Sequence, residues 1–226
     1  MKLLAIETST EACSVAVWDN GEARERFEIA PRRHAELVLP WADALLAEAG
    51  VAKSQLDAIA VGRGPGAFTG VRLAIGLAQG IALALDRPVV PVSTLAALAM
   101  QGEGERVLAA IDARMGEIYL GAFARDRDGF VEAIGAEQLL RPADARVAAG
   151  ISWIGVGTGF AAEGRALVQA LDTALAGADA TLLPHAADVA RLAARAFARG
   201  EAVAPERAEP AYLRDKVALT LAEQRK

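Results

Sequence analysis

Between Thr69 and Leu85 only Arg72 and Gln79 interrupt an otherwise apolar run. A helix over that run is apolar on all sides and needs cover all round. One face can meet a sheet; the other must meet a neighbouring helix or a partner. Gly76 and Gly80 share one face with Leu73 and Leu77. A glycine inside a helix costs up to about 1 kcal/mol relative to alanine. Two of them four residues apart point to close approach of a second backbone. The alternatives are a central core helix and a subunit interface, the latter also recruiting the helix expected over 34–49, where Trp41 offers a large anchor. The most apolar part, Leu73 to Leu85, falls short of the roughly 20 residues that cross a bilayer.

The run is entered through Gly62-Arg63-Gly64-Pro65-Gly66-Ala67-Phe68-Thr69-Gly70, four glycines and a proline between a strand and a helix. Glycines there permit a sharp turn and close approach of another group. Amide groups at a helix start can also hold an anion. No lysine follows at the P-loop position, and the spacing is not that of a dinucleotide-binding fold. A structural strand-to-helix turn and a phosphate cradle both stay open.

Around this segment the chain reads as alternating strands and helices. Lys2–Thr8, Cys13–Trp18 and Glu22–Ile29 form three strands, the last two joined by Asp19-Asn20-Gly21, a strong hairpin signal. A helix follows over His34–Ala49, with Pro40 predicting a kink or restart. Leu56–Val61 and Val89–Pro91 are buried strands, and Ser93 caps a helix over Thr94–Met100. After the linker Gln101–Glu105 the order repeats. Strands are expected over Arg106–Asp112, Glu117–Ala124, Phe130–Ile134 and Ser152–Val156, with helices over Pro142–Ala148, Ala161–Leu175 and Ala187–Arg199. This predicts an α/β chain of mixed sheets covered by helices. It divides into an N-terminal lobe over 1–100, a smaller C-terminal lobe over 106–200 and a tail over 201–226, whose last dozen residues read as charged and loose.

Several residues carry candidate chemistry. Glu7-Thr8-Ser9-Thr10-Glu11 ends the first strand. A carboxylate with hydroxyls there suits a metal–phosphate group, or a polar turn that satisfies its own backbone. Asp112-Ala113-Arg114 is equally ambiguous, and Gly155-Val156-Gly157-Thr158-Gly159 is a glycine-rich strand end. The histidines are His34 and His185 alone, neither with a second Cys or His beside it, which argues against a zinc site. The single cysteine, Cys13, alternates with apolar neighbours as a core residue does. One cysteine makes no internal disulfide and suits a reducing compartment. An acid after four apolar residues at the N-terminus is unlike a signal peptide. The expected location is the cytoplasm, with no membrane contact. The formal charge is −5. A protein gripping RNA alone normally shows a basic face, so service to nucleic acid would need a partner.

Taken together, Leu4–Thr10, Cys13–Ala16, His34-Ala35-Glu36 and Gly62–Arg72 resemble the TsaB (YeaZ) family. Asp112-Ala113-Arg114, Glu117-Ile118-Tyr119 and Pro210–Arg214 are similar to it as well. The resemblance is strong over residues 1–100 and patchier beyond. It implies two RNase H-like lobes of the actin/hexokinase/Hsp70 (ASKHA) fold. It also implies a role in making N6-threonylcarbamoyladenosine in tRNA, as a non-catalytic activating or scaffold subunit that binds the catalytic paralogue TsaD and with it the ATPase TsaE. The implied interface is helical, here Trp41, Phe68, Thr69, Leu73, Gly76, Leu77 and Gly80. Homodimers through similar helices are implied for the chain alone, and tRNA is reached only through the complex.

By the same resemblance Glu7, Thr8, Ser9 and Thr10 correspond to a first phosphate loop, Asp112 lies near a second, and Gly157 belongs to an adenosine-binding turn. The fold usually has Asp in the first loop. Glu7 changes the metal–water geometry and argues against ATP hydrolysis, leaving a degenerate or shared ATP/ADP cleft with no cofactor required. No metal site is implied, since Val38 stands where the TsaD pattern has its second histidine. The alternatives are an ATP-binding phosphotransferase or ATPase of this fold and, more remotely, a metallopeptidase.

Overall fold

The computed structural model describes residues 1–148 and 150–214. Sheet 1 is built from β1 (Lys2–Glu7), β2 (Ala12–Asp19), β3 (Glu22–Ile29), β4 (Ala58–Gly62) and β5 (Val89–Val92), in the order β3-β2-β1-β4-β5. The first three are antiparallel neighbours, and β4 and β5 run parallel to β1. The hairpin turn uses positive φ at Asn20 (48°) and Gly21 (109°), as its sequence predicts.

Sheet 2 repeats this plan. It comprises β6 (Arg106–Arg114), β7 (Glu117–Arg125), β8 (Val131–Ala133), β9 (Gln138–Leu140), β10 (Trp153–Val156) and β11 (Leu175–Asp179). The order is β11-β10-β6-β7-β8, with β9 also pairing β7. The strands β10 and β11 run parallel to β6, as β4 and β5 do to β1. The two sheets therefore share one connectivity, although no sequence repeat announces it. This duplicated α/β plan is the ASKHA architecture expected above.

Helices α1 (His34–Ala49) and α2 (Phe68–Leu85) lie side by side over the outer face of sheet 1, burying Val38, Ala42, Leu45, Val71, Ala74 and Ala78 against Leu4, Ile6, Val15 and Val61. Helix α1 runs through Pro40 without a break. Proline removes one amide and crowds the preceding turn; of the expected kink or restart, the restart does not occur. Helix α3 (Thr94–Ala99) is capped by Ser93, whose hydroxyl accepts from the Ala96 amide, and it packs on sheet 2 through Leu95 and Leu98. Helix α4 (Ala162–Leu171) covers the opposite face of sheet 2 through Leu167 and Leu171.

Helix α5 (Ala186–Ala198) departs from the expected partition. Sequence order places it in the C-terminal lobe. It packs instead on the inner face of sheet 1, where Ala186, Val189, Ala190 and Ala193 meet Leu3, Ala5, Ala16 and Ala60. The small residues on both sides allow this close helix–sheet contact, and a boundary at residue 200 does not describe where α5 is buried. Other differences are local. Residues 142–148 hold only a short 3-10 turn, Pro142–Asp144, and α4 ends at Leu171 to make room for β11. The expected loose end over the last dozen residues lies outside the described residues.

Candidate functional site

The first loop is locked from beneath. Glu7 is fully buried, and its carboxyl accepts from the Ser9 amide at 2.6 Å and from the Thr94 hydroxyl at 2.9 Å. Thr94 also lies 2.9 Å from the Ser9 hydroxyl and accepts from the Gly64 amide at 3.2 Å. Burial pushes the Glu7 carboxyl above the ordinary range, and the bonds from Ser9, Thr94 and Thr8 offset that only in part.

The glycine run lies directly on this loop. A Cβ at Gly62 would stand 1.9 Å from Glu7 Oε2, one at Gly66 2.4 Å from the Ser9 carbonyl, and one at Gly70 2.0 Å from the Thr8 carbonyl. The Thr8 hydroxyl donates to the Gly70 carbonyl, and the Ala67 amide to the Ser9 carbonyl, both at 2.7 Å. The group that needs close approach is thus the chain's own first loop. The structural alternative explains Gly62, Gly66 and Gly70, with the Gly64 and Ala67 amides engaged internally.

Between the lobes opens a cleft of about 1160 Å³. Ser9, Thr10 and Asp112 line it; Glu7, Thr8 and Gly157 do not. Asp112 accepts from the Arg114 amide at 2.8 Å and pairs with its guanidinium at 2.9 Å. Gly157, with φ of 102°, makes the turn after β10, where a Cβ would stand 2.4 Å from the Ala110 carbonyl oxygen. It presents Thr158, whose hydroxyl accepts from the Asp112 amide at 3.1 Å and lines the cleft. Thr158 escaped the sequence reading, although a hydroxyl between two glycines was the available signal. His34 Nε2 lies 3.1 Å from the Thr10 carbonyl and 3.2 Å from that of Ala12, tying α1 to the first loop. Among the described residues no three of His, Cys, Asp and Glu converge as a metal-ligand set.

The cleft's remaining wall is the C-terminal segment, which sequence reasoning used only as a family likeness. Gln79 on α2 donates to the Pro205 and Ala208 carbonyls at 3.0 and 3.2 Å, and the Ala211 amide donates to the Arg63 carbonyl at 2.8 Å. Arg214 then crosses to the second lobe and donates to Glu117 Oε2 at 2.7 Å. Arg32, Arg72, Tyr212 and Arg214 all face the cleft.

On the outer side, α2 turns Thr69, Gly76 and Gly80 to solvent, with Leu73 and Leu77 half-buried along the same stripe, and the exposed Arg72 stands where this stripe meets the cleft. Nothing lies within 4 Å of a Cβ built at Gly76 or Gly80. Among the described residues no second backbone packs there, so they give these glycines no intrachain explanation. Phe68 is 60% exposed and Leu83 63%. Trp41 rests half-buried on the same core as Leu77. By length and composition α2 is apolar enough to cross a membrane, yet it is seated along sheet 1.

A family model described as TsaD, tRNA N6-adenosine threonylcarbamoyltransferase, matches residues 28–221. The chain is 42% identical to the tRNA threonylcarbamoyladenosine biosynthesis protein TsaB of Escherichia coli K12, over 96% of both chains. It is 40% identical to the TsaB of Haemophilus influenzae, over 96% of this chain and 95% of that one. The solved structure titled YeaZ from Pseudomonas aeruginosa superposes with a TM-score of 0.87 at 49% identity, covering 94% of this chain and 99% of that one. With the same two-lobed fold and this likeness along nearly its whole length, the chain belongs to the TsaB (YeaZ) family.

Proposed function

We propose that the chain is a non-catalytic activating subunit in the formation of N6-threonylcarbamoyladenosine in tRNA, the pathway in which its TsaB relatives are named. It acts in the cytoplasm by docking TsaD, with TsaE joining the assembly and tRNA reached only through the complex. The observation that carries this reading is the stripe of α2 that no described residue covers, Thr69, Leu73, Gly76, Leu77 and Gly80, flanked by Phe68 and Trp41. Exposed apolar surface of this kind marks a contact face, and the two bare glycines suit a partner helix at short range. The same stripe supports a homodimer when the chain is alone. Glu7 is spent on holding Ser9 and Thr94, which supports a structural rather than catalytic loop.

Light scattering of the chain alone and mixed with TsaD from the same organism tests this. A heterodimer peak should appear at the expense of any homodimer, and Leu77→Asp should weaken it. A mixture that merely sums its components overturns the reading. The cleft, with Ser9, Thr10, Asp112 and Thr158 in its wall, favours a second reading as an ATP-binding phosphotransferase or ATPase. Turnover of Mg-ATP above a buffer control would support that second reading.

A further inference from the structure

Arg72 is the one charged residue in α2. It is exposed, and among the described residues it makes no hydrogen bond or ion pair. Its guanidinium is nevertheless held in place. The Phe68 ring lies below it, 3.2 Å from guanidinium carbon to ring centroid, and the Tyr212 ring beside it at 4.9 Å. Stacking of this kind engages the flat face of the guanidinium and leaves its N–H edge available. Phe68 and Tyr212 are themselves 60% and 55% exposed, so the clamp stands at the surface, where the N-terminal end of α2 meets the cleft that all three side chains line. Tyr212 is brought there by the C-terminal segment, which the Gln79 and Arg63 bonds fasten along α2 and the glycine run.

A guanidinium stacked on two rings at the end of an apolar stripe, with no carboxylate on it among the described residues, is preorganised to take an anion from a partner. The geometry points to Arg72 as a specificity-determining residue of the α2 docking face, receiving a carboxylate of the partner, with Phe68 and Tyr212 as positioning residues that hold the guanidinium for it. This rests on the reading that α2 docks a protein. It makes the docking face composite, α2 together with the strap that carries Tyr212. A fork-shaped donor favours a bidentate carboxylate, and an ion pair enclosed by apolar contacts fixes register and rejects partners that lack it.

The affinity of the full chain for TsaD, measured at about 0.05 M and about 0.5 M salt, tests this, because a partly exposed ion pair is screened over that range. Arg72→Gln should raise Kd about tenfold or more at low salt and remove most of the salt dependence. Tyr212→Ala should raise Kd several-fold while leaving the salt dependence in place, since the charge remains and only its positioning is lost. Asp215→Asn, which removes the carboxylate following Arg214, should leave both quantities unchanged. Equal salt dependence in wild type and Arg72→Gln overturns the proposal, as does a salt dependence that grows in Asp215→Asn. Leu77→Asp separates the two levels: loss of binding there with no response at Arg72 keeps the docking reading and rejects this one.

Discussion

Glu25 on β3 and His185 before α5 stand 160 residues apart in sequence and 2.8 Å apart in the fold. The same carboxylate accepts from the Ser14 hydroxyl at 2.6 Å and the Ala187 amide at 3.0 Å, so one acid anchors the start of α5 to sheet 1. Phe27 stacks on the imidazole, with ring centroids 4.1 Å apart. The Glu25 bond is the main cause that raises the His185 pKa, against the effect of burial. Burial pushes Glu25 up, but the bonds from His185, Ser14 and Ala187 together hold it below its ordinary value.

The signs define a pH window. A histidine whose pKa is raised by folding contributes fully below its unfolded value of about 6.5 and loses that contribution as pH rises through the folded value. Glu25, lowered, contributes above its unfolded value and loses its share as pH falls through the folded one. Asp188 on the same helix is raised by burial to about 6, so its own contribution is lost as pH rises from 3.8 to about 6 and adds nothing to the change above that. The stability gap between wild type and His185→Gln should be about 1 kcal/mol near pH 5.5 and shrink toward pH 9. Thermal melts across that range check it, with about 2–4 °C expected per kcal/mol. A gap that widens with pH contradicts the assignment.

Glycines in this chain should respond in opposite ways to alanine. At Gly70 the new Cβ meets the Thr8 carbonyl at 2.0 Å, a backbone clash that cannot relax cheaply. Urea denaturation should show a loss of about 3 kcal/mol or failure to fold. At Gly76 the space is open, and alanine should stabilise the isolated chain by up to about 1 kcal/mol. If Gly76 lies under a partner helix, the same substitution weakens docking, so stability and affinity move in opposite directions.

Glu7→Ala should behave as a core lesion. It strips the Ser9 amide and Thr94 hydroxyl of their acceptor and leaves a void, a cost of about 3 kcal/mol. Thermal melts measure that loss. Assays with Mg-ATP should find no turnover in wild type for the substitution to remove, whereas turnover that disappears with Glu7 would favour the phosphotransferase reading.

Trp41→Ala tests whether α1 shares the docking face. Large aromatic anchors at interface centres contribute about 2 kcal/mol or more, so Kd for TsaD should rise about 30-fold. Trp41 also rests on the core beneath it, so a melt of the free variant must accompany the binding measurement. Unchanged affinity places the anchor elsewhere.

Much of this architecture was legible in the residues. Asn20-Gly21 announced its hairpin because only a few residue types accept positive φ, and the apolar run from Thr69 announced a helix needing cover on two sides. Strand β11 was not legible. Leu175-Ala-Gly-Ala-Asp179 is mostly exposed and has no β-branched residue, so its pairing with β10 leaves no local signal. The site divided in a similar way. Ser9, Thr10 and Asp112 reached the cleft as motif position suggested, while Glu7 turned inward because its carboxyl found Ser9 and Thr94. The clamp on Arg72 depends on Tyr212, 140 positions downstream, and no spacing rule links them.

The placement of α5 carries a consequence for biosynthesis. On the ribosome, β1 to β5 are complete once residue 92 has emerged, but the apolar inner face made by Leu3, Ala5, Ala16, Ala60 and Val90 has no cover. That cover is residues 186–198, translated about a hundred codons later. A nascent chain of this design holds a sticky half-sheet for several seconds at ordinary elongation speeds of about 5–20 residues per second. Prematurely terminated products should therefore engage chaperones or aggregate rather than persist as a free first lobe.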